Sequence, residues 1–369
     1  MTYEAIQEIA LHQLGSMYQP DHELFVFRRR LAGGRLVAEG LSRRYTAIAL
    51  IGLAGTDPAV VHEILHRRSA AELCQRLIAT TGASDTLGDL ALFAWAAVAT
   101  GCDSPTPAWD HLATALDHSP DCPIVDLSWA VSALSLAGDP ALAALRDATA
   151  ARLMALHRQA WAGFPHTSTE SGLRGHVSCF ADLVYPILAL SQFAAATGEP
   201  QSLAIARATA DHVCRAQGPA GQWWWHYDSR SGGIVERSPV YSVHQHAMAP
   251  MALHALEQVS GASYAAAISR GLEWLASAPE LAGGSLVDEP GRVVWRKVAR
   301  HEPAKATRYL QALTSRVRPG ASLPGIDAVF PPGAIDHECR PYEFGWFLYA
   351  WPANTRASWP GGVATQVTA

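Results

Sequence analysis

Two stretches carry most of the residues that could do chemistry. Residues 223–248 read WWWHYDSRSGGIVERSPVYSVHQHAM and residues 336–346 read DHECRPYEFGW. In the first, Tyr241 and His244 lie three residues apart. Helical spacing puts them on one face with Met248, Met251 and Ala255. An imidazole that titrates near neutrality beside a phenol is an acid–base pair. His246 falls on another face, so the two histidines lack the four-residue spacing that aligns imidazoles on a metal. Three successive tryptophans, Trp223, Trp224 and Trp225, cannot all face a core, so at least one is expected at a cavity mouth. Aromatic faces there suit sugar rings and carbocations alike. In the second stretch Asp336, His337, Glu338, Arg340, Tyr342, Glu343 and Trp346 precede an apolar helix. Helix capping accounts for two of these groups, Asp336 and Arg340, and not for the rest. Acid–base catalysis is therefore assigned to Tyr241, His244, Asp336, His337 and Glu338. Substrate contact is assigned to Arg340, Tyr342, Glu343 and Trp346, with Trp224 and Trp225.

Elements able to bring these stretches together are legible elsewhere. Alanine and leucine recur at helical spacing over 141–160, 182–197, 201–216 and 240–257. Gly138-Asp139-Pro140 and Gly198-Glu199-Pro200 mark helix stops and starts. Alternating β-type pattern is confined to 222–236 and 285–296, read as loop hairpins. Several helices open with a polar and aromatic cluster: Arg44 and Tyr45, Asp89, Asp126, Asp182 with Tyr185, Tyr241 with His244, and Arg340 with Glu343. These openings recur roughly every 40–60 residues, the length of a helical hairpin. The interval between the last two is about twice as long, with Trp295 near its middle. In a closed double ring all inner helices run the same way, and their first turns converge on one mouth with their free N–H groups. The expected fold is therefore all-α: an α/α toroid of six or seven hairpins, forming a single domain over 1–369. Its mouth holds Arg44, Tyr45, Asp89, Asp126, Asp182 and Tyr185 as further substrate contacts.

Composition narrows the partners. Hydrophobic residues make up 49% of the 369 and charged residues 17%, enough for a large core. The net charge of −5 leaves no surplus to neutralise phosphates, so nucleic acid is excluded. No basic leader precedes an apolar run, and no stretch approaches the roughly 18 apolar residues of a membrane span. A cytoplasmic location is the expectation. The six cysteines form no CxxC pair, and no set of His and Cys has ligand spacing, so no metal or other cofactor is expected.

Residues 207–223 read RATADHVCRAQGPAGQW. This segment resembles the glutamine–tryptophan repeat of terpenoid cyclases and protein prenyltransferases. Arg207, Ala208, Val213, Gln217, Gly221 and Trp223 match, and His212 replaces an aromatic. A degraded copy starts at Arg270-Gly271 with Trp274-Leu275, Pro279 standing in place of the glutamine. The resemblance implies an α/α toroid in which Gln217 and Trp223 staple one hairpin to the next. It also implies acid–base chemistry on an isoprenoid, as lyase, isomerase or transferase. The chain departs from those families in having no Asp-x-Asp-Asp acid motif and no Asp-rich metal motif. The alternative is a carbohydrate-active toroid enzyme: a polysaccharide lyase, uronate epimerase or glycoside hydrolase. Residues 239–253, PVYSVHQHAMAPMAL, are similar to the Tyr-bearing helix of glucuronyl epimerases, and Arg44 or Arg340 could hold a uronate. A ring that only binds its ligand is the third reading.

Overall fold

Inner and outer helices differ in how their apolar residues are arranged. The segment Leu87–Thr100 is buried almost all round, from Leu87 to Ala97 with few breaks, as a helix enclosed on every side must be. Ala70–Ala79 instead buries one stripe, Leu73, Cys74, Leu77 and Ile78. The computed structural model describes residues 1–82, 85–102, 106–302, 306–352 and 359. Its helices alternate between the two kinds. Outer helices are α1 (Tyr3–Met17), α4 (Ala70–Ala79), α6 (Thr106–His118), α8 (Ala143–Ala155), α10 (Pro200–Arg215) and α12 (Ala265–Ser277). Inner helices are α2 (Arg43–Leu53), α5 (Leu87–Thr100), α7 (Ile124–Ala137), α9 (Ala181–Thr197), α11 (Ala249–Ser260) and α15 (Pro341–Ala350). Three further helices, α3 (Pro58–Ile64), α13 (Ala306–Val317) and α14 (Ile326–Val329), lie in connections. Each inner helix packs on the next, and α15 packs back on α2. The described residues thus form an α/α toroid with six inner and six outer helices around a main buried cluster that runs from Tyr3 to Trp359.

The punctuation behaves as its chemistry requires. Gly138 and Gly198 end α7 and α9 in the left-handed region, at φ 64° and 76°. Among the described residues the long interval before α15 holds no seventh helical hairpin. It is filled by strand pairs, α13 and α14, and Trp295 sits between the strands Val293–Val294 and Lys297–Arg300. Gln217 does staple neighbours: its amide donates to the Gly221 and Ala267 carbonyls at 2.9 Å each, and its oxygen accepts from Arg270. Trp223 is fully buried beside α12, packed against Gly271.

The largest β element was not expected. Leu24–Ala32 pairs with Arg35–Leu41 through Gly33 and Gly34, at φ 56° and 75°. Two successive positive-φ positions are the signature of a two-residue hairpin turn, and a Gly-Gly pair is the available signal. The other edge of Leu24–Ala32 takes up Glu338–Cys339, with Arg30 opposite Glu338. The segment leading into the last inner helix is thereby fastened to the hairpin leading into the first.

Closure brings backbone against backbone. A Cβ on Gly52 of α2 would lie 2.2 Å from the Gly345 carbonyl oxygen of α15, and one on Gly345 would lie 2.6 Å from the Ile48 oxygen. Alanine in place of a helical glycine ordinarily gains up to about 1 kcal/mol. At Gly52 the sign reverses, and Gly52→Ala is expected to cost about 1–3 kcal/mol in urea denaturation because neither backbone can give way. Gly55→Ala, where nothing lies within 4 Å, is the matched control and should leave stability nearly unchanged.

Candidate functional site

The first turns of the inner helices meet at one end of the ring. Arg44, in the first turn of α2, donates from Nε to Asp89 of α5 at 2.7 Å and from Nη2 to Thr86 at 2.8 Å. Its guanidinium lies 5.5 Å from the Trp129 ring of α7. Asp89 closes a capping box with Thr86. Burial pushes its carboxyl up, but Arg44 and Thr86 outweigh that and hold it below the usual range. Asp126, opening α7, is nearly buried, packed against the backbone of Gly88, and forms no ion pair among the described residues. Burial pushes its carboxyl above the usual range, with Arg44 opposing. A groove of about 700 Å³ between α5 and α6 opens beside it, lined by Thr86, Leu90, His111 and Cys122 among others.

Asp182, at the start of α9, is fully buried and accepts the Cys179 N–H at 2.7 Å. It also meets His166 Nδ1 at 3.1 Å, and that hydrogen bond and charge raise the imidazole's pKa. Tyr185, one turn on, packs edge-on to Trp129 at 5.2 Å and lies 6.0 Å from Trp346. Trp346 is fully buried against Trp95, so it supports the floor and offers no surface to a ligand.

The 336–346 segment is present at the mouth but arranged differently from the expectation. Asp336 caps no helix. It ends a strand opposite Lys297 and pairs with that lysine at 3.0 Å. Glu338 is buried among three guanidiniums: Arg28 at 2.8 Å, Arg296 at 3.2 Å and Arg340. His337 is exposed and edge-on to Trp295. Glu343 accepts the Arg340 N–H at 3.0 Å and faces Arg296 at 3.5 Å. Burial, opposed by Arg296, lifts its carboxyl to about 7. Arg340 donates to the Tyr45 hydroxyl at 2.9 Å, and Tyr45 packs between Phe27 and Tyr342.

Tyr241 does approach this segment, through cations: Arg296 and Lys297 each lie 5.2 Å from its ring. His244 does not reach it and packs against Phe180 and Tyr241. The reason is a π-helical turn, His244–Met248, that precedes α11 and alters the assumed helical spacing. Of the tryptophans, Trp224 is buried in the core, whereas half-buried Trp225 faces the mouth. It stacks on His226 at 3.9 Å, meets Tyr241 at 5.0 Å and carries the Arg308 guanidinium at 4.3 Å.

Sequence reasoning missed His166, Arg174, Arg296 and Arg308. All lie in connections or on α13, outside the repeating helix openings; their one signal is that connections on a rigid scaffold carry function. Arg174 donates to the Arg308 carbonyl at 2.9 Å and approaches His226 at 3.2 Å. Burial and the Arg308 charge lower its pKa. Neither arginine forms an ion pair among the described residues, unlike Arg44, Arg296 and Arg340. Spacing also gave no sign that His166, Cys179 and Asp182 lie together, with donor atoms within 4.8 Å of one another. The mouth therefore combines aromatic faces, a carboxyl whose pKa burial raises, and two guanidiniums that form no ion pair among the described residues.

No protein-family model matches the chain, and no curated protein is significantly similar to it. Solved structures of the same fold do match. One is an unsaturated glucuronyl hydrolase specific for heparin, with TM-score 0.60 and 14% identity over 94% of this chain and 95% of that one. A second is the unsaturated glucuronyl hydrolase responsible for the degradation of glycosaminoglycan from Bacillus sp. GL1, with TM-score 0.56 and 14% identity over 94% of each chain. A third is the unsaturated glucuronyl hydrolase of Streptococcus agalactiae, with TM-score 0.57 and 12% identity over 94% and 90%. At identity this low the likeness shows the shared toroid fold alone; the glutamine–tryptophan segment acts as a staple between hairpins, and none of these three structures is a terpenoid cyclase.

Two measurements test this geometry. A Cβ on Gly88 would fall 2.3 Å from Asp126 Oδ1, so Gly88→Ala should destabilise, and Asp126→Ala should relieve it. A double-mutant cycle is expected to show a coupling of about 1 kcal/mol or more; additive effects would place Asp126 elsewhere. His244 and His246 are buried, and desolvation lowers both to about 3. An unfolded chain binds protons on them below about 6.5, so their contribution to stability is lost as pH falls from there toward 3. His246→Phe should flatten the dependence of the urea midpoint on pH in that window.

Proposed function

We propose that the protein is a glycan-active hydrolase, one toroid domain, whose mouth takes a sugar bearing a carboxylate. An unsaturated glucuronyl group is the substrate type favoured by the similarity to the glucuronyl hydrolases. The observation that carries the reading is the pair Arg174 and Arg308, without a carboxylate partner among the described residues, beside the exposed part of Trp225. Two adjacent guanidiniums left unpaired suit an anionic ligand, and the indole face suits a sugar ring. Asp126 supplies the proton, since burial favours its acid form. Asp182, accepting from His166 and the Cys179 N–H, takes the proton of the attacking water. Tyr241, Tyr45 and Tyr342 wall the site.

The isoprenoid reading fits this mouth less well. A polyene folds in a closed apolar cavity. Here Arg44, Arg174, Arg296, Arg308 and Arg340 share the mouth with Asp89, Asp126, Asp182, Glu338 and Glu343. That charge favours the carbohydrate-active alternative. Asp336, His337 and Glu338 drop from the catalytic set, because their ion pairs or exposure occupy them elsewhere.

The test is incubation of the pure protein with unsaturated glucuronyl disaccharides, saturated uronate oligosaccharides, prenyl diphosphates and squalene. Loss of the conjugated-alkene absorbance is expected with the first. Asp126→Asn and Asp182→Asn should each lower kcat by roughly 10²–10⁴ with Tm nearly unchanged, while Arg308→Met should chiefly raise KM, about tenfold or more. Turnover of an isoprenoid, or none of any uronate, would overturn the proposal.

A further inference from the structure

The residues His166, Cys179 and Asp182 reach the mouth from three directions: the loop after α8, the end of the strand Val177–Cys179, and the first turn of α9. An imidazole nitrogen, a thiol sulfur and a carboxylate oxygen lie within 4.8 Å of one another. Ligand atoms around a tetrahedral zinc ion sit roughly 3.3–3.8 Å apart, given metal–ligand distances of about 2.0–2.3 Å. The cluster thus has to contract by about an ångström. We infer that it binds one thiophilic divalent cation, zinc in preference to magnesium or calcium. A nitrogen, a sulfur and an oxygen donor form a borderline-soft set, whereas the hard cations take oxygen alone.

The backbone that carries the three ligands is tied down before any ion arrives, which leaves the contraction to side-chain rotation. The carboxylate of Asp182 is fixed by the Cys179 N–H at 2.7 Å. Cys179 is fixed by its pairing opposite His226, and the His166 carbonyl accepts the Ile124 N–H at 3.0 Å. Such secondary contacts orient ligands and raise affinity. The His166 side chain is 51% exposed, which leaves a fourth position open to water on the mouth side. Binding displaces the thiol proton of Cys179 and the proton between His166 and Asp182 to solvent. The thiolate and carboxylate then balance the dipositive ion. The charge of Arg174 opposes it, and that of Asp126 favours it.

An ion here engages the carboxylate that the proposed reaction uses as its base. Bound zinc therefore acts as an inhibitor, a consequence that rests on the function proposed above, whereas binding itself does not.

The test strips the full-length protein with chelator and titrates it with Co²⁺ in the presence of a thiol-free reductant, then with Zn²⁺. One equivalent of cobalt per chain is expected, with a thiolate-to-cobalt charge-transfer band that zinc abolishes. Cys179→Ser should remove the band. His166→Gln, altering a half-exposed side chain that the fold does not need, should weaken binding at least about tenfold. Cys214→Ser, at the other half-buried thiol, should change nothing. No stoichiometric binding, or a charge-transfer band that survives Cys179→Ser, overturns the site. Turnover measured with and without zinc then reads separately: a normal cobalt spectrum with no zinc inhibition of an active enzyme retires the catalytic role of Asp182 and leaves the metal site standing.

Discussion

Everything at the mouth depends on one close approach, that of α2 to α15 at Gly52 and Gly345. With no side chain between them, the two backbones meet. A ring of six helices closes only if each interaxial step sums to a full turn, so a wider gap at any one joint opens the whole. Ring closure is what sets Tyr45 within hydrogen-bond reach of Arg340, and Arg28 of Glu338, across roughly 300 positions of chain. The strand Glu338–Cys339 on the edge of the first hairpin adds a second fastening at the same joint. A precise mouth follows from a rigid frame, because side chains on packed helices cannot drift independently.

On that frame the charges are largely matched. Arg44 has Asp89, Lys297 has Asp336, and Arg28, Arg296 and Arg340 share Glu338 with Glu343 close by. Buried charges without partners are costly, and each of these has an opposite charge within 3.5 Å. The exceptions among the described residues stand out for that reason: Arg174 and Arg308 without carboxylates, and Asp126 without a cation in contact. The proposed function uses these groups, the arginines for an anion and the carboxyl for a proton.

The frame was legible because helices announce themselves. Repeated openings at Arg44, Asp89, Asp126, Asp182, Tyr241 and Glu343 fixed which ends of which helices converge, and the Gly138 and Gly198 stops fixed their lengths. Between helices the loop hairpins at 222–236 and 285–296 were legible from their alternation, but the polar residues of the longer loops were not. Loop residues such as His166 and Arg174 have no period, and their neighbours in space are distant in sequence. The π-turn at 244–248 escaped for a related reason: its sequence reads as ordinary helix, and packing against Trp351, whose indole N–H donates to the His246 carbonyl at 2.7 Å, accompanies the extra residue. The 336–346 segment misled because clustered charge looks alike whether it serves substrate or, as at Glu338, a knot of arginines.

The joint between α2 and α15 also bears on how the molecule is made. During synthesis the first five inner helices emerge in order and can pack pairwise, yet the ring stays open until α15 is available. Until then α2 presents the glycine-lined face around Gly52 to solvent, and Tyr45 and Arg28 lack their partners. A nascent chain halted before residue 341 would thus carry nearly all the helices and an unformed mouth. In such an architecture the mouth forms in one step, with the last turn of the ring, and not gradually with length.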